Sequence, residues 1–161
     1  MKRATSAALV GIAGLAVIAM TGARHHATGD QHEAIKRTAL DYIEGWYEGN
    51  AERMERALHP ELAKRVLMYD PNSKSLKINQ MSALTLVQRT RDRSGRSVTA
   101  ADQRRDVTVL DVFGNAASVK VVANDWVDYL HMTHLDGRWQ IVNVLWELNP
   151  TAKRQRGFPE K

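Results

Sequence analysis

The residues best suited to acid–base chemistry are concentrated late in the sequence. Asp125, Asp128, His131 and His134 lie within or beside residues 126–135, whose pattern predicts a β-strand. Successive side chains of a strand point to opposite faces, so residues three apart in sequence do not face each other. The two aspartates therefore do not form the carboxylate pair of a glycosidase, and the two histidines do not share a metal ion.

The composition narrows the possible chemistry further. The 161-residue chain contains no cysteine, which excludes disulfides, thiolate metal sites, iron–sulfur clusters and cysteine nucleophiles. It also contains no glycine-rich phosphate loop, nucleophile elbow or metalloprotease signature. We expect no metal ion and no cofactor. The net charge of +5 is too small to indicate nucleic-acid binding.

Aromatic residues suggest a second kind of site, a binding cavity. Six of the ten aromatic residues are candidates for the core or for a cavity wall: Trp46, Tyr47, Trp126, Tyr129, Trp139 and Trp146. Aromatic walls with a few polar groups suit a flat heteroaromatic or apolar molecule. Core packing is the better interpretation for Trp139, whereas Trp46 and Trp126 suit either the core or a cavity wall.

The first residues of the chain predict export. A basic start, Met1 to Arg3, precedes an uncharged run from Ala7 to Met20, and small residues follow at 21–23. This is the order of a secretory signal peptide, and the apolar run is shorter than the ~20 residues of a membrane span. We therefore assign residues 1–23 as a signal peptide, with an uncleaved anchor as the alternative, and residues 24–31 as a flexible lead-in.

The first half of the mature chain predicts helices. Asp30 and Glu33 resemble a capping box, the apolar spacing that follows is helical, and Gly49 suits a helix end. Asn50 can cap a second helix. Pro60 predicts a further short helix with Leu62, Val66 and Leu67 facing inward. Residues 76–81 predict a short strand, and Ser82 a cap for another helix.

The last third of the chain changes to strand patterns. Val107 and Val109 alternate with polar residues, and a turn at residues 113–115 leads to a second strand. Asp136-Gly137 is a strong hairpin signal. The alternation slips near Asn143, which predicts a β-bulge in the last strand. Residues 150–161 read as a basic, flexible tail. Helices followed by antiparallel strands predict an α+β fold.

Several short motifs, in this order, carry a resemblance to a known family. They are Tyr42 to Asn50 (YIEGWYEGN), Met54 with Leu58-His59-Pro60, Phe113 to Ala117 (FGNAA), Asp128 to His131 (DYLH) and Asp136 to Asn143 (DGRWQIVN). This pattern resembles the lumazine-binding branch of the nuclear transport factor 2-like superfamily, which also contains SnoaL-like proteins. The resemblance covers residues 32–149. It implies a cone of three N-terminal helices packed on a strongly curved, mainly antiparallel sheet around a pocket.

The resemblance also allows a test for isomerase chemistry. Isomerases of this fold use a tyrosine on the first helix, a carboxylate base after the second, and an acid on a late strand. Tyr42 matches the tyrosine, but the stretch for the base contains Lys64, and the late acid falls near His131. A lysine abstracts a proton only when its pKa is strongly lowered. One match in three argues against steroid isomerisation.

Three functions remain open on these grounds. The first is a non-catalytic, exported module that holds an apolar or heteroaromatic molecule in the cone. Its expected ligand-binding residues are Tyr42, Trp46, Trp126, Asp128, Tyr129 and His131. The second is an isomerase, dehydratase or cyclase in the same pocket, with acid–base candidates Tyr42, His59, Asp128 and His131. The third is a protein-association domain that forms a homodimer through the sheet.

The expected partners follow from these functions. We expect a small-molecule ligand, a second copy of the chain, no nucleic acid, and no membrane contact after signal cleavage. The expected location is the bacterial periplasm or the medium.

Overall fold

A computed structural model describes residues 16–93 and 98–158. Most of the predicted signal peptide, residues 1–15, lies outside this range. Helix α1 (Ala16–Glu48) includes the stretch expected as a lead-in, so Asp30 lies within a helix and does not begin one. The compact body of the protein starts at Glu33. Among the described residues, no helix combines the length and apolar character that a bilayer span requires.

Helices α1 and α2 (Ala51–Ala57) meet at a tight corner, as the sequence predicts. Gly49 has a φ of 67°, a left-handed value that glycine adopts without strain. The Asn50 side chain then accepts a hydrogen bond of 3.0 Å from the Arg53 backbone N–H, which caps α2. A Cβ on Gly45 would lie 3.0 Å from the Met54 backbone nitrogen. A glycine at this position therefore allows the two helices to approach closely.

The short helix predicted after Pro60 is wrong, because residues Leu58–Asp70 form a strand, β1. Leu62, Lys64 and Val66 are buried in alternation, which is the period of a strand with one buried face. Leu62 and Val66 are four residues apart, a spacing that fits both periods. Pairing decides between them, since β1 is antiparallel to β2 (Ser75–Ser82) and parallel to β6 (Arg138–Leu148).

The remaining elements mostly follow the sequence predictions. Strand β2 and helix α3 (Ala83–Arg91) are confirmed, and the Ser82 side chain accepts a hydrogen bond from the Thr85 backbone N–H. A short 3-10 helix (Ala100–Asp102) precedes strand β3 (Asp106–Phe113). Residues 150–155, expected within a flexible tail, instead form a helix, α4 (Pro150–Gln155).

The last four strands form the predicted antiparallel meander. Strands β4 (Ala116–Val122) and β5 (Trp126–Leu135) follow β3, and Asp136-Gly137 connects β5 to β6. Both turn residues have positive φ, as a type I′ hairpin turn requires. His131 pairs with Asn143 and Met132 with Ile141, so Val142 is the extra residue of the predicted bulge.

The sheet has six strands in the order β2-β1-β6-β5-β4-β3, with one parallel pair, β1–β6. Helices pack on one face of this curved, mainly antiparallel sheet. Ile35, Ile43 and Met54 from the helices meet Val119, Leu130 and Ile141 from the strands in the core. The expected α+β cone is confirmed.

We expect Gly45→Ala to lower the free energy of unfolding by about 1 kcal/mol or more, because the added methyl group crowds the backbone of α2. The intrinsic helix propensity of alanine acts in the opposite direction by up to ~1 kcal/mol. Gly29→Ala is the control, since a Cβ there meets no atom within 4 Å. Urea denaturation measures both variants. Equal effects at the two positions would show that the close approach at Gly45 is unimportant.

Candidate functional site

A cavity of about 210 Å³ lies between the helices and the sheet. Side chains from α1, α2, α3, β1, β5 and β6 contribute, together with one residue near the end of β2 and the residue that follows α4. The lining residues are Tyr42, Ile43, Trp46, Met54, Lys64, Met81, Leu86, Arg89, Trp126, Trp146 and Arg156. Most of this surface is apolar, so the few polar groups decide what it can recognise.

Lys64 supplies the central polar group of the cavity. Its alternation with Leu62 and Val66 on β1 directs the side chain inward, where only 7% of it is exposed. The ammonium lies 2.7 Å from Asp128 Oδ1 and also donates a hydrogen bond to the hydroxyl of Tyr42. Two of its three N–H donors are thus committed, and the third has no hydrogen-bond acceptor among the described residues.

Asp128 lies behind Lys64 and is fully buried. Its Oδ1 accepts the hydrogen bond from Lys64, and its Oδ2 accepts one of 2.6 Å from the indole N–H of Trp126. Asp128 is not among the cavity-lining residues. The carboxylate therefore orients and neutralises Lys64 and does not itself face a bound molecule.

Burial shifts the pKa values of two groups in this cluster. Burial lowers the pKa of Lys64, and the negative charge of Asp128 partly opposes that change. Burial also raises the pKa of Tyr42 well above its usual range, with further contributions from Asp128. Tyr42 consequently keeps its proton at neutral pH and can act only as a neutral hydrogen-bonding group.

Three tryptophans form the aromatic part of the wall. Trp126 makes edge contacts with Trp46 and with Trp146, each with ring centroids 6.4 Å apart. The Lys64 ammonium lies 5.0 Å from the centre of the Trp146 ring, within cation–π range. The indole N–H of Trp146 is buried and has no hydrogen-bond partner among the described residues. A bound acceptor could satisfy it.

The structure brings some of the sequence-predicted site residues together. Tyr42, Trp46 and Trp126 line the cavity, and Asp128 supports it from behind. Tyr129 and His131 are exposed on the opposite face of β5, because they alternate with the buried Asp128 and Leu130. We therefore leave Tyr129 and His131 out of the site.

His59 also lies apart from the cavity. It is half-buried at the start of β1, where its Nδ1 accepts a hydrogen bond from the Glu61 backbone N–H. The four acid–base candidates thus do not converge on one cavity. Among the described residues, no three His, Asp or Glu side chains are arranged to hold a metal ion.

Sequence reasoning missed the central position of Lys64. It treated Lys64 only as an unsuitable replacement for a carboxylate base. The signal that could have found it is the alternation of Leu62, Lys64 and Val66, once the segment is recognised as a strand. Arg89 and Arg156 carried no comparable signal, since only the tertiary structure brings α3 and α4 to the same opening.

Comparison with known proteins now defines the family. The sequence profile of the family described as "Putative lumazine-binding" matches residues 30–147. The chain belongs to this family. The resemblance inferred from the motifs between Tyr42 and Asn143 is thereby confirmed, and the family points to small-molecule binding.

Individual relatives are more distant. The chain is 24% identical over 131 residues to "Aldolase FrzH" from Cladobotryum sp., covering 78% of this chain and 97% of the relative. A nuclear transport factor 2-like protein of unknown function from Silicibacter pomeroyi superposes with a TM-score of 0.60 at 16% identity, covering 76% of this chain and 98% of that chain. A protein from Exiguobacterium sibiricum described as a calcium/calmodulin-dependent kinase II association domain superposes with a TM-score of 0.55 at 14% identity. The match covers 74% of this chain and 93% of that chain. At such identities the two structures support the fold alone.

We expect Lys64→Met to lower the free energy of unfolding by roughly 3–5 kcal/mol, because it leaves the Asp128 carboxylate buried without its partner. The double variant Lys64→Met, Asp128→Asn should lose less stability than the sum of the two single variants. Lys77→Met is the control, since the Lys77–Asp70 pair is exposed and should contribute little. Additive effects at positions 64 and 128 in urea denaturation would contradict this coupling.

Proposed function

We propose that this protein is an exported binding module that holds one small molecule in the cavity beside Lys64. The observation that carries the proposal is the combination of three tryptophans with a buried polar group formed by Lys64 and Tyr42. Apolar walls with a few fixed polar groups are typical of small-molecule sites. Membership of the lumazine-binding family supports the same conclusion.

The polar groups indicate what the ligand must offer. Lys64 retains one free N–H donor, and the Trp146 indole N–H has no partner among the described residues. Both groups donate, so a matching ligand presents acceptors such as carbonyl or ring-nitrogen atoms. A volume of about 210 Å³ fits a compact, flat molecule and excludes a long chain.

The arrangement of Asp128 favours binding over catalysis. Asp128 is not among the cavity-lining residues, and its two oxygens accept hydrogen bonds from Lys64 and Trp126, so it is not placed to take a proton from a substrate. Tyr42 stays protonated because its pKa is raised. Export remains part of the proposal on the strength of residues 1–23, whose order is that of a signal peptide.

Catalysis in the same cavity is the second candidate. The Lys64 ammonium and the Tyr42 hydroxyl could together hold a carbonyl oxygen and stabilise the negative charge of an enolate. A relative named as an aldolase supports this alternative. A base would still be required, and among the cavity-lining residues only a neutral Lys64 amine could serve.

Native mass spectrometry of the protein purified from its natural host tests the proposal. We expect a discrete added mass, which Trp146→Phe should reduce by removing the unpartnered N–H, whereas Trp139→Phe on the same strand should not. Incubating the released compound with fresh protein separates the two candidates, because binding returns it unchanged, whereas catalysis changes its mass or, for an isomerisation, its chromatographic retention time. A bare protein mass in every preparation would contradict the binding proposal.

We also propose a homodimer that forms through the sheet face opposite the cavity. Leu67 and Ile78 pair across β1 and β2 on that face, and Leu145 and Tyr129 pair across β6 and β5. Ile78 is 71% exposed and Leu145 is 57% exposed. Exposed apolar side chains grouped on one sheet face are typical of a protein–protein interface.

Sedimentation velocity measures the oligomeric state directly. We expect a dimer that dissociates when Ile78→Lys and Leu145→Lys place charges on the proposed interface. Leu84→Lys is the control, because Leu84 is even more exposed, at 80%, but lies on α3. A concentrated wild-type protein that sediments as a monomer would contradict the homodimer and leave the binding proposal intact.

A further inference from the structure

The charged residues of the cavity are all cationic. Lys64, Arg89 and Arg156 are among its lining residues, and no aspartate or glutamate is. Asp128 neutralises Lys64 from behind at 2.7 Å. Nothing comparable neutralises the two arginines. The cavity therefore carries an excess of positive charge that its own residues do not compensate.

Both arginines differ from their neighbours in having no partner of their own. Among the described residues, neither Arg89 nor Arg156 makes an ion pair or a side-chain hydrogen bond. Arg91, on the same helix as Arg89, donates to Gln88, and Arg154, close to Arg156, donates to Thr151. Both guanidinium groups that line the cavity therefore have their N–H donors available for a bound molecule.

The structure holds these two side chains at one opening from separate parts of the chain. Arg89 lies on α3, which the Ser82 cap and the buried residues Leu86 and Val87 fix against the body. Arg156 ends α4, which is capped by Asn149. Both arginines are exposed, so they form the outer part of the cavity while Lys64 forms the buried part.

We propose that the cavity selects a small organic acid, with its oxyanion bound by Arg89 and Arg156 and its apolar body between the tryptophans. This inference rests on the proposed binding function and adds the ligand class. A guanidinium group offers paired N–H donors that match the geometry of a carboxylate or phosphate oxyanion. The apolar walls strengthen that attraction because they exclude water from one side of it.

Isothermal titration calorimetry with three probes of one ring system tests the inference: 2-naphthoate, 2-naphthyl phosphate and the neutral 2-naphthalenemethanol. We expect the wild-type protein to bind one of the anions about tenfold more tightly than the alcohol. Added salt should reduce this preference, since the arginines are exposed. Comparing the two anions distinguishes a carboxylic acid from a phosphate ester.

Matched arginine variants identify the residues responsible. Arg89→Gln and Arg156→Gln should each remove most of the preference for the anion while leaving the affinity for the alcohol unchanged. Arg91→Gln and Arg154→Gln, on the same two helices but outside the cavity lining, are the controls. An equal loss in all four variants would indicate general attraction by the net charge and would overturn the inference.

The outcomes also separate this inference from the proposed function. If the alcohol binds and the anions bind no more tightly, the ligand class is wrong but the binding cavity stands. If none of the three probes binds the wild-type protein, the cavity does not accept ring-sized molecules, and both proposals fail.

Discussion

The buried ion pair between Lys64 and Asp128 is the constraint on which the rest of the structure depends. The free energy needed to remove two charges from water exceeds the free energy gained from their attraction, unless the remaining hydrogen-bonding groups of both residues are satisfied. Asp128 meets this condition fully, through Lys64 and Trp126, and Lys64 also binds Tyr42. Because these residues come from α1, β1 and β5, the pair links the helical layer to two strands on either side of β6.

The sequence predicts elements well where the local signals are unambiguous. Asn50 and Ser82 cap helices, Asp136-Gly137 forms the hairpin turn, and the bulge falls beside Asn143. It fails at β1, because the spacing of Leu62 and Val66 fits a helix as well as a strand. Only pairing with β2 and β6, which are distant in sequence, decides between the two.

The residues of the candidate site likewise fall into those that local sequence signals predict and those that depend on contacts distant in sequence. Tyr42 is found from the sequence because it lies in a family motif, and Trp126 because it is an aromatic residue in a predicted strand. Lys64 is missed since its function depends on Asp128, which is 64 residues away and unrecognisable as a partner before β1 and β5 are placed beside β6. His131 is also proposed for the cavity on sequence grounds. Its spacing of three residues from Asp128 on β5 places the two side chains on opposite faces of the strand.

Lys64 occupies the part of the cone where isomerases of this fold are expected to have a carboxylate base, and this difference changes the chemistry that the cavity can support. A carboxylate there would be available to remove a proton from carbon, whereas the Lys64 ammonium paired with Asp128 is a hydrogen-bond donor. The Trp146 indole N–H adds a donor to the same cavity, and no aspartate or glutamate is among the side chains that line it. The cavity is therefore complementary to electron-rich, oxygen-bearing molecules. A shared fold with enzymes does not carry over their chemistry, because the polarity of these few buried groups decides which molecules are stabilised.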